Sequence, residues 1–120
     1  MAGVLVPLVL VPRYSTYAGA ATDFITIGMD VTDYEKAIVS FWRAPFVGTG
    51  VTIVITFEES MDQLAWSACT GGPYTDPGAG VEGQFSPVIT KRWFRIKLTL
   101  TGTGPVATCW CIGFLQQRET

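Results

Sequence analysis

The sequence predicts an all-β sandwich, a single domain of about eight short antiparallel strands. Three observations carry that expectation. Apolar and polar residues alternate with period two in several segments, as strands half-buried on a core do. Clusters of Gly, Pro, Ser, Thr and Asp punctuate those segments at short intervals, and no segment shows a convincing helical period. A chain of 120 residues has room for one core and not two, so residues 1–120 are expected to form one domain.

Residues 1–12 are Val- and Leu-rich with prolines at 7 and 12. Proline cannot donate to a ladder, so this run suits an extended N-terminal arm or an edge strand and not a central one. The run lacks a basic start and Pro7 interrupts it, so no targeting segment is expected, and it is too short to span a bilayer as a helix. Phe24, Ile25 and Ile27 suggest a short strand ending at Gly28, and Asp30 to Tyr34 a turn. Lys36 to Arg43 alternates Ala37, Val39 and Phe41 against Ile38, Ser40 and Trp42. After the break at Gly48-Thr49-Gly50, Val51, Ile53, Ile55 and Phe57 share one face.

Glu58 to Trp66 is expected to be a solvated connection into a short strand around Ala65 to Cys69. A Gly/Pro loop at 70–80 and a short strand at Val81 to Val88 follow. Lys91 to Leu100 has the clearest alternation, with Phe94, Ile96, Leu98 and Leu100 inward and Trp93, Arg95, Lys97 and Thr99 outward. Thr101-Gly102-Thr103-Gly104-Pro105 is expected to stop it. The last strand, Val106 to Leu115, sets Trp110, Ile112 and Phe114 against Cys109, Cys111 and Gly113. Consecutive pairs with longer crossings point to a jelly roll and away from a meander.

Composition narrows the function. The chain is 48% apolar and only 15% charged, where about 25% charged is usual. So few charges imply a Thr-, Ser- and Gly-rich exterior with part of it covered by other subunits. A net charge of −2 offers no basic footprint for nucleic acid, and the absence of histidine removes the commonest general base and metal ligand. No membrane segment, cofactor fingerprint, metal motif or catalytic motif is present, and no enzyme activity is expected. Cys109 and Cys111 sit two apart on one strand face, where a mutual bridge is geometrically poor. Cys69 is left to pair with either, but the spacing is not that of a disulfide framework, and buried thiols are expected.

Two acidic groupings invite a calcium or acid–base reading, Glu58-Glu59 with Asp62, and Asp30 with Asp33 and Glu35. Adjacent residues of an extended chain point apart, and Asp at such spacings builds turns, so solvated turns are expected at both. The candidate partner-binding residues are Val4, Val6, Leu8 and Leu10 of the N-terminal run, with Tyr74, Trp93 and Arg95. Trp42-Arg43 extends such a patch if its strand lies alongside, and two placements are open to the N-terminal run, lent to a neighbouring subunit or paired as an edge strand within its own sheet.

Phe57-Glu58-Glu59-Ser60-Met61-Asp62 with Ala65-Trp66-Ser67 resembles the strand-turn-strand of discoidin-like and carbohydrate-binding jelly rolls. Lys91-Arg92-Trp93-Phe94-Arg95-Ile96-Lys97-Leu98 resembles the strand that follows in those folds. The short length, sparse charge, missing histidine and polar tail are similar to jelly-roll cement (decoration) proteins of tailed-phage capsids. That resemblance implies a homo-oligomer, dimer or trimer, that clamps major capsid protein on the capsid exterior after assembly in the host cytoplasm. The N-terminal run and the 70–80 loop are the expected contact elements. The alternative is a carbohydrate-binding module of a tail or appendage using Trp93, Arg95, Tyr74 or Trp42.

Overall fold

In the computed structural model, which describes residues 4–19, 22–71 and 74–118, one strand belongs to both halves of the molecule. β8 (Trp93–Gln117) runs for 25 residues. Fully extended it would span about 80 Å at roughly 3.3 Å per residue, yet the longest dimension of the molecule is 49 Å. The ribbon therefore folds over. The bend falls at the glycines of 102–104, where Gly102 has φ +122° and a Cβ there would lie 2.9 Å from Val51 Cα. The Thr/Gly/Pro segment expected to stop the strand bends it instead, because pairing with the neighbour continues on both sides of the kink.

The other strands line up along this spine. On one edge β1 (Leu5–Ala18) pairs with residues 106–116, β2 (Thr22–Ile25) with 97–100 and β3 (Met29–Asp30) with 93–94, all antiparallel. On the other edge β4 (Tyr34–Arg43) pairs with 109–117 and β5 (Val47–Ser60) with 93–106. β6 (Ser67–Ala68) adds to β5, and β7 (Gly83–Phe85) to β4. Folding at the bend gives two four-stranded layers, β1-β8-β4-β7 and β2/β3-β8-β5-β6. This is a jelly roll.

The core lies between the layers and follows the alternation of the sequence. Phe94, Ile96, Leu98 and Leu100 are buried against Val39 and Phe41 of β4 and Ile53, Ile55 and Phe57 of β5. Phe57 stacks on Phe94 at 5.9 Å and meets Phe85 at 6.3 Å, and Phe85 also stacks on Phe41, which ties the layers together. The N-terminal run pairs with its own sheet as an edge strand, interrupted by register shifts around Val11.

Several expected boundaries move. Residues 48–50 lie within β5, the strand expected at 81–88 contracts to Gly83–Phe85, and the one at 65–69 to Ser67–Ala68. Glu58, Glu59 and Ser60 are not a solvated turn but the buried end of β5. Their carboxylates tolerate burial because neighbouring groups neutralise or cap them, as described below.

β4 and β8 approach very closely at Gly113. A Cβ there would sit 2.1 Å from the Ile38 carbonyl oxygen and 2.7 Å from Val39 Cα. Gly113→Ala is expected to lower unfolding free energy by about 2–4 kcal/mol, since backbone on both sides must shift. Chemical denaturation measures this, and a loss below about 0.5 kcal/mol would contradict the close approach.

Candidate interaction face

The two layers turn very different outer faces to their surroundings. Antiparallel partners share a face, so the register defines its rows. On the β1-β8-β4 layer one row is Pro7, Phe114 and Ile38, and the next is Val9, Ile112 and Ser40. Trp110 and Trp42 form a third, their rings stacked 6.2 Å apart. Arg13 lies 4.5 Å above the Trp110 ring, and Tyr14 meets Trp42 edge-on. Val9, Leu5 and Phe114 are 57%, 46% and 45% exposed. A groove of about 370 Å³ on this face is lined by Val9, Ser40, Ile112 and Phe114, with Arg13 from the β1 side and Glu82 from the β7 side.

The outer face of the β2-β8-β5 layer is mixed: Val54 and Ile25 are exposed on it, and its charges and hydroxyls are paired with one another. The Thr52 and Thr101 hydroxyls bond each other across the strands, and Thr99 Oγ1 donates to Asp23 at 2.7 Å. Glu58 stands opposite Arg95 in the register and accepts from Arg95 Nε at 2.9 Å and Nη2 at 2.8 Å, with Lys97 Nζ at 3.5 Å. The Trp66 ring covers the Arg95 guanidinium at 3.9 Å and is itself pinned by Nε1 donating to Gln63 O. Desolvating these charges is compensated because each is paired and hydrogen-bonded. Glu59 points the other way and accepts from Thr90 N at 2.7 Å, Thr90 Oγ1 at 2.9 Å and Lys91 N at 3.2 Å.

The residues singled out in the sequence fall in different places. Leu8 and Leu10 are buried in this chain's own core, while Val4 is exposed and Val6 half-buried. The outward, accessible members of β1 are Leu5, Pro7 and Val9, one residue out of step with the expected set. Tyr74 packs inside, stacked on Phe85 at 4.6 Å. Trp93 and Arg95 lie on the polar layer and Trp42 on the apolar one. The structure therefore assembles no single aromatic platform from Trp42, Tyr74, Trp93 and Arg95. The apolar outer rows of β8 and β4 were missed as a site, although Trp110, Ile112 and Phe114 were legible as one face.

Two of the acidic residues singled out in the sequence are structural. Asp62 accepts from Ala65 N, Leu64 N and Ser60 Oγ, and these bonds hold it below the usual carboxylate range. Asp30 is held low by Thr32 hydroxyl and N–H and then by Arg92. Ionised acceptors with their oxygens engaged make poor proton donors. Among the described residues no group of three or more Cys, Asp or Glu side chains is placed to hold a metal.

The 70–80 loop is tied down by a pair at the sandwich rim. Arg43 donates through Nε to both Asp76 oxygens at 2.8 and 2.9 Å, and Nη2 lies 2.7 Å from Oδ2. Burial alone would raise the Asp76 pKa, but the Arg43 and Gly78 hydrogen bonds and the Arg43 charge outweigh it and hold it low. The guanidinium also stacks on Phe46 at 3.7 Å. All three cysteines are free and buried. Burial, with the charges of Glu59 and Glu58, pushes the Cys69 thiol up to about 12, and burial pushes Cys109 up to about 11. Cys111 is raised too, by burial and then by Cys109.

No protein-family model and no curated protein matches the sequence. Among solved structures the chain is similar to one from Bacillus endospore appendages, described as a novel family of disulfide-linked pili. The TM-score is 0.54 with 12% identity, over 99% of this chain and 93% of that one. It is also similar to a chain of the infectious bursal disease virus Gx strain, with TM-score 0.56 and 9% identity, over 95% of this chain and 32% of the viral one. This chain thus spans about a third of the viral chain, and at these identities the likeness is one of fold.

Two measurements check this chemistry. Asp76 has a folded pKa below its unfolded one, so its contribution is present above about pH 3.9 and is lost as pH falls through the folded value. Asp76→Asn should cost about 1–3 kcal/mol at pH 7 and flatten the acid limb of the stability profile; an unchanged limb would refute the pairing. A thiol-specific reagent should label none of the three cysteines in minutes at pH 8 and all of them after unfolding. Rapid labelling of the native protein would contradict their burial.

Proposed function

We propose that this chain is a structural virion protein that decorates and reinforces a phage capsid, binding major capsid protein subunits as a homo-oligomer. The observation that carries the proposal is the contrast between the two outer faces. The β2-β8-β5 face satisfies its own charges and hydroxyls, whereas the β1-β8-β4 face leaves apolar rows open around a groove. On a small sparsely charged domain, such a patch marks a surface for assembly.

Similarity to a pilus chain and a viral chain supports a subunit role for the fold, in a particle or appendage, without naming the particle. A module that works by surface burial needs no catalytic group, and Glu58, Glu59, Asp30, Asp62 and Asp76 are engaged in structure. Magnitudes favour repeated contacts. A patch of roughly 400 Å² yields about 10 kcal/mol of gross burial at ~25 cal/mol per Å². Lost translational and rotational freedom offsets about 4–15 kcal/mol of that. One contact of this size is therefore weak, and assembly through several linked contacts becomes strong through effective concentration.

Purified protein added to phage shells assembled without it should co-sediment with them and raise their calorimetric melting temperature by several degrees. Failure to bind any shell, or selective binding to glycans on an array, would overturn the proposal.

A further inference from the structure

The apolar groove has an unusual arrangement of charge on its two sides. Arg13 lies on the β1 side and Glu82 on the β7 side of the same groove. Both stand at the level of Trp110. Arg13 covers its ring, and Glu82 directly precedes Gly83, which is in register with Phe41, so Glu82 stands beside Trp42 and hence Trp110. Among the described residues neither charge is part of an ion pair; of the other cations Arg43, Arg92, Arg95 and Lys97 are paired, and Lys36, Lys91 and Arg118 are not.

We infer that this face packs against the same face of a second copy, about a two-fold axis running along the strands between β4 and β8, with Arg13 of each copy meeting Glu82 of the other. The rotation carries the β1 side of one copy over the β7 side of the second and keeps each row at its level. Phe114 then faces Ile38 of the second copy, while Trp110 stays covered by Arg13 of its own chain. Leu5, level with Gln116, Lys36 and Val88, faces the exposed Val88. Apolar rows meet apolar rows, Lys36 faces Gln116 of the second copy, and Arg13 and Glu82, opposite in sign, meet twice at the flanks. A self-complementary patch of this kind makes an isologous, closed dimer and not an open fibre. Tilting the two twisted sheets by about 30° still leaves these side chains, both long, within reach at the rim.

Area sets the expected strength. Four strands about 4.8 Å apart and seven residues rising about 3.4 Å each outline roughly 500 Å² of flat sheet per copy. That is below the ~800 Å² per partner of a standard stable interface, so a dissociation constant in the micromolar range is expected. The inference rests on the reading of the chain as a homo-oligomer and names the partner on this face. Shell contacts then fall to the 74–80 loop and the rims.

The test is the native mass of the full chain by light scattering or sedimentation from about 1 to 200 µM, without shells. The wild type should pass from one copy to two and go no further. Phe114→Lys, at a half-exposed position, should remain a folded monomer at 200 µM. Arg13→Glu and Glu82→Arg should each weaken dimerisation at least tenfold, and the double exchange should restore it. Thermal unfolding of every variant separates lost pairing from lost folding. A monomeric wild type, a dimer indifferent to Phe114→Lys, or a double exchange that fails to restore pairing would each overturn the inference. A monomer that still decorates shells would leave shell binding standing and remove the homo-oligomer with the inference, and a dimer that binds no shell would keep the inference and overturn shell decoration.

Discussion

Everything in this molecule depends on one strand serving two layers. β8 supplies an inner strand to each half of the sandwich, so its bend at 102–104 brings the layers face to face. The inward alternation on either side of the kink, Phe94 to Leu100 and then Ala107 to Leu115, fills both faces of one core. The close approach at Gly113 and the Phe57, Phe85 and Phe94 cluster follow from that geometry. Because β5 pairs with β8 on both sides of the kink, through two register shifts, the two layers are bound by backbone hydrogen bonds as well as by packing.

The outer faces divide the work. Charge is scarce in this chain, and much of it is spent within the fold: Glu58 on Arg95 and Lys97, Asp76 on Arg43, Asp30 on Arg92. Those pairs close the β2-β8-β5 surface and the rims. The β1-β8-β4 surface is left with isoleucine, phenylalanine and valine, and with Arg13, Lys36 and Glu82, which are in no ion pair within the described residues. An apolar sheet face in water is a driving force for association, and its cost in solubility is sensible only where association is the purpose.

Much of this could be read from the sequence, and the failures have identifiable physical causes. Strict alternation made the strands at 36–43, 51–57, 93–100 and 106–115 legible, since each buries one side only. The bend was read as a stop because Thr-Gly-Thr-Gly-Pro has the same composition in either role. Glu58 and Glu59 were expected in water because their partners, Arg95 and the amides of Thr90 and Lys91, lie more than thirty residues away. The N-terminal run is apolar on both sides, so alternation could not say that Leu8 and Leu10 face in while Leu5, Pro7 and Val9 face out. Arg13 and Glu82 carried no local signal, because only the register sets them at one level.

The central claim is that the β1-β8-β4 face is covered when the protein is assembled and the β2-β8-β5 face is not. Hydroxyl-radical footprinting of dilute protein against the assembled state reads both faces at once. The account predicts that oxidation of Val9, Phe114 and Tyr14 falls several-fold on assembly while Val54 and Ile25 are unchanged. Equal labelling of the first group in both states, or protection of the second group alone, would contradict it.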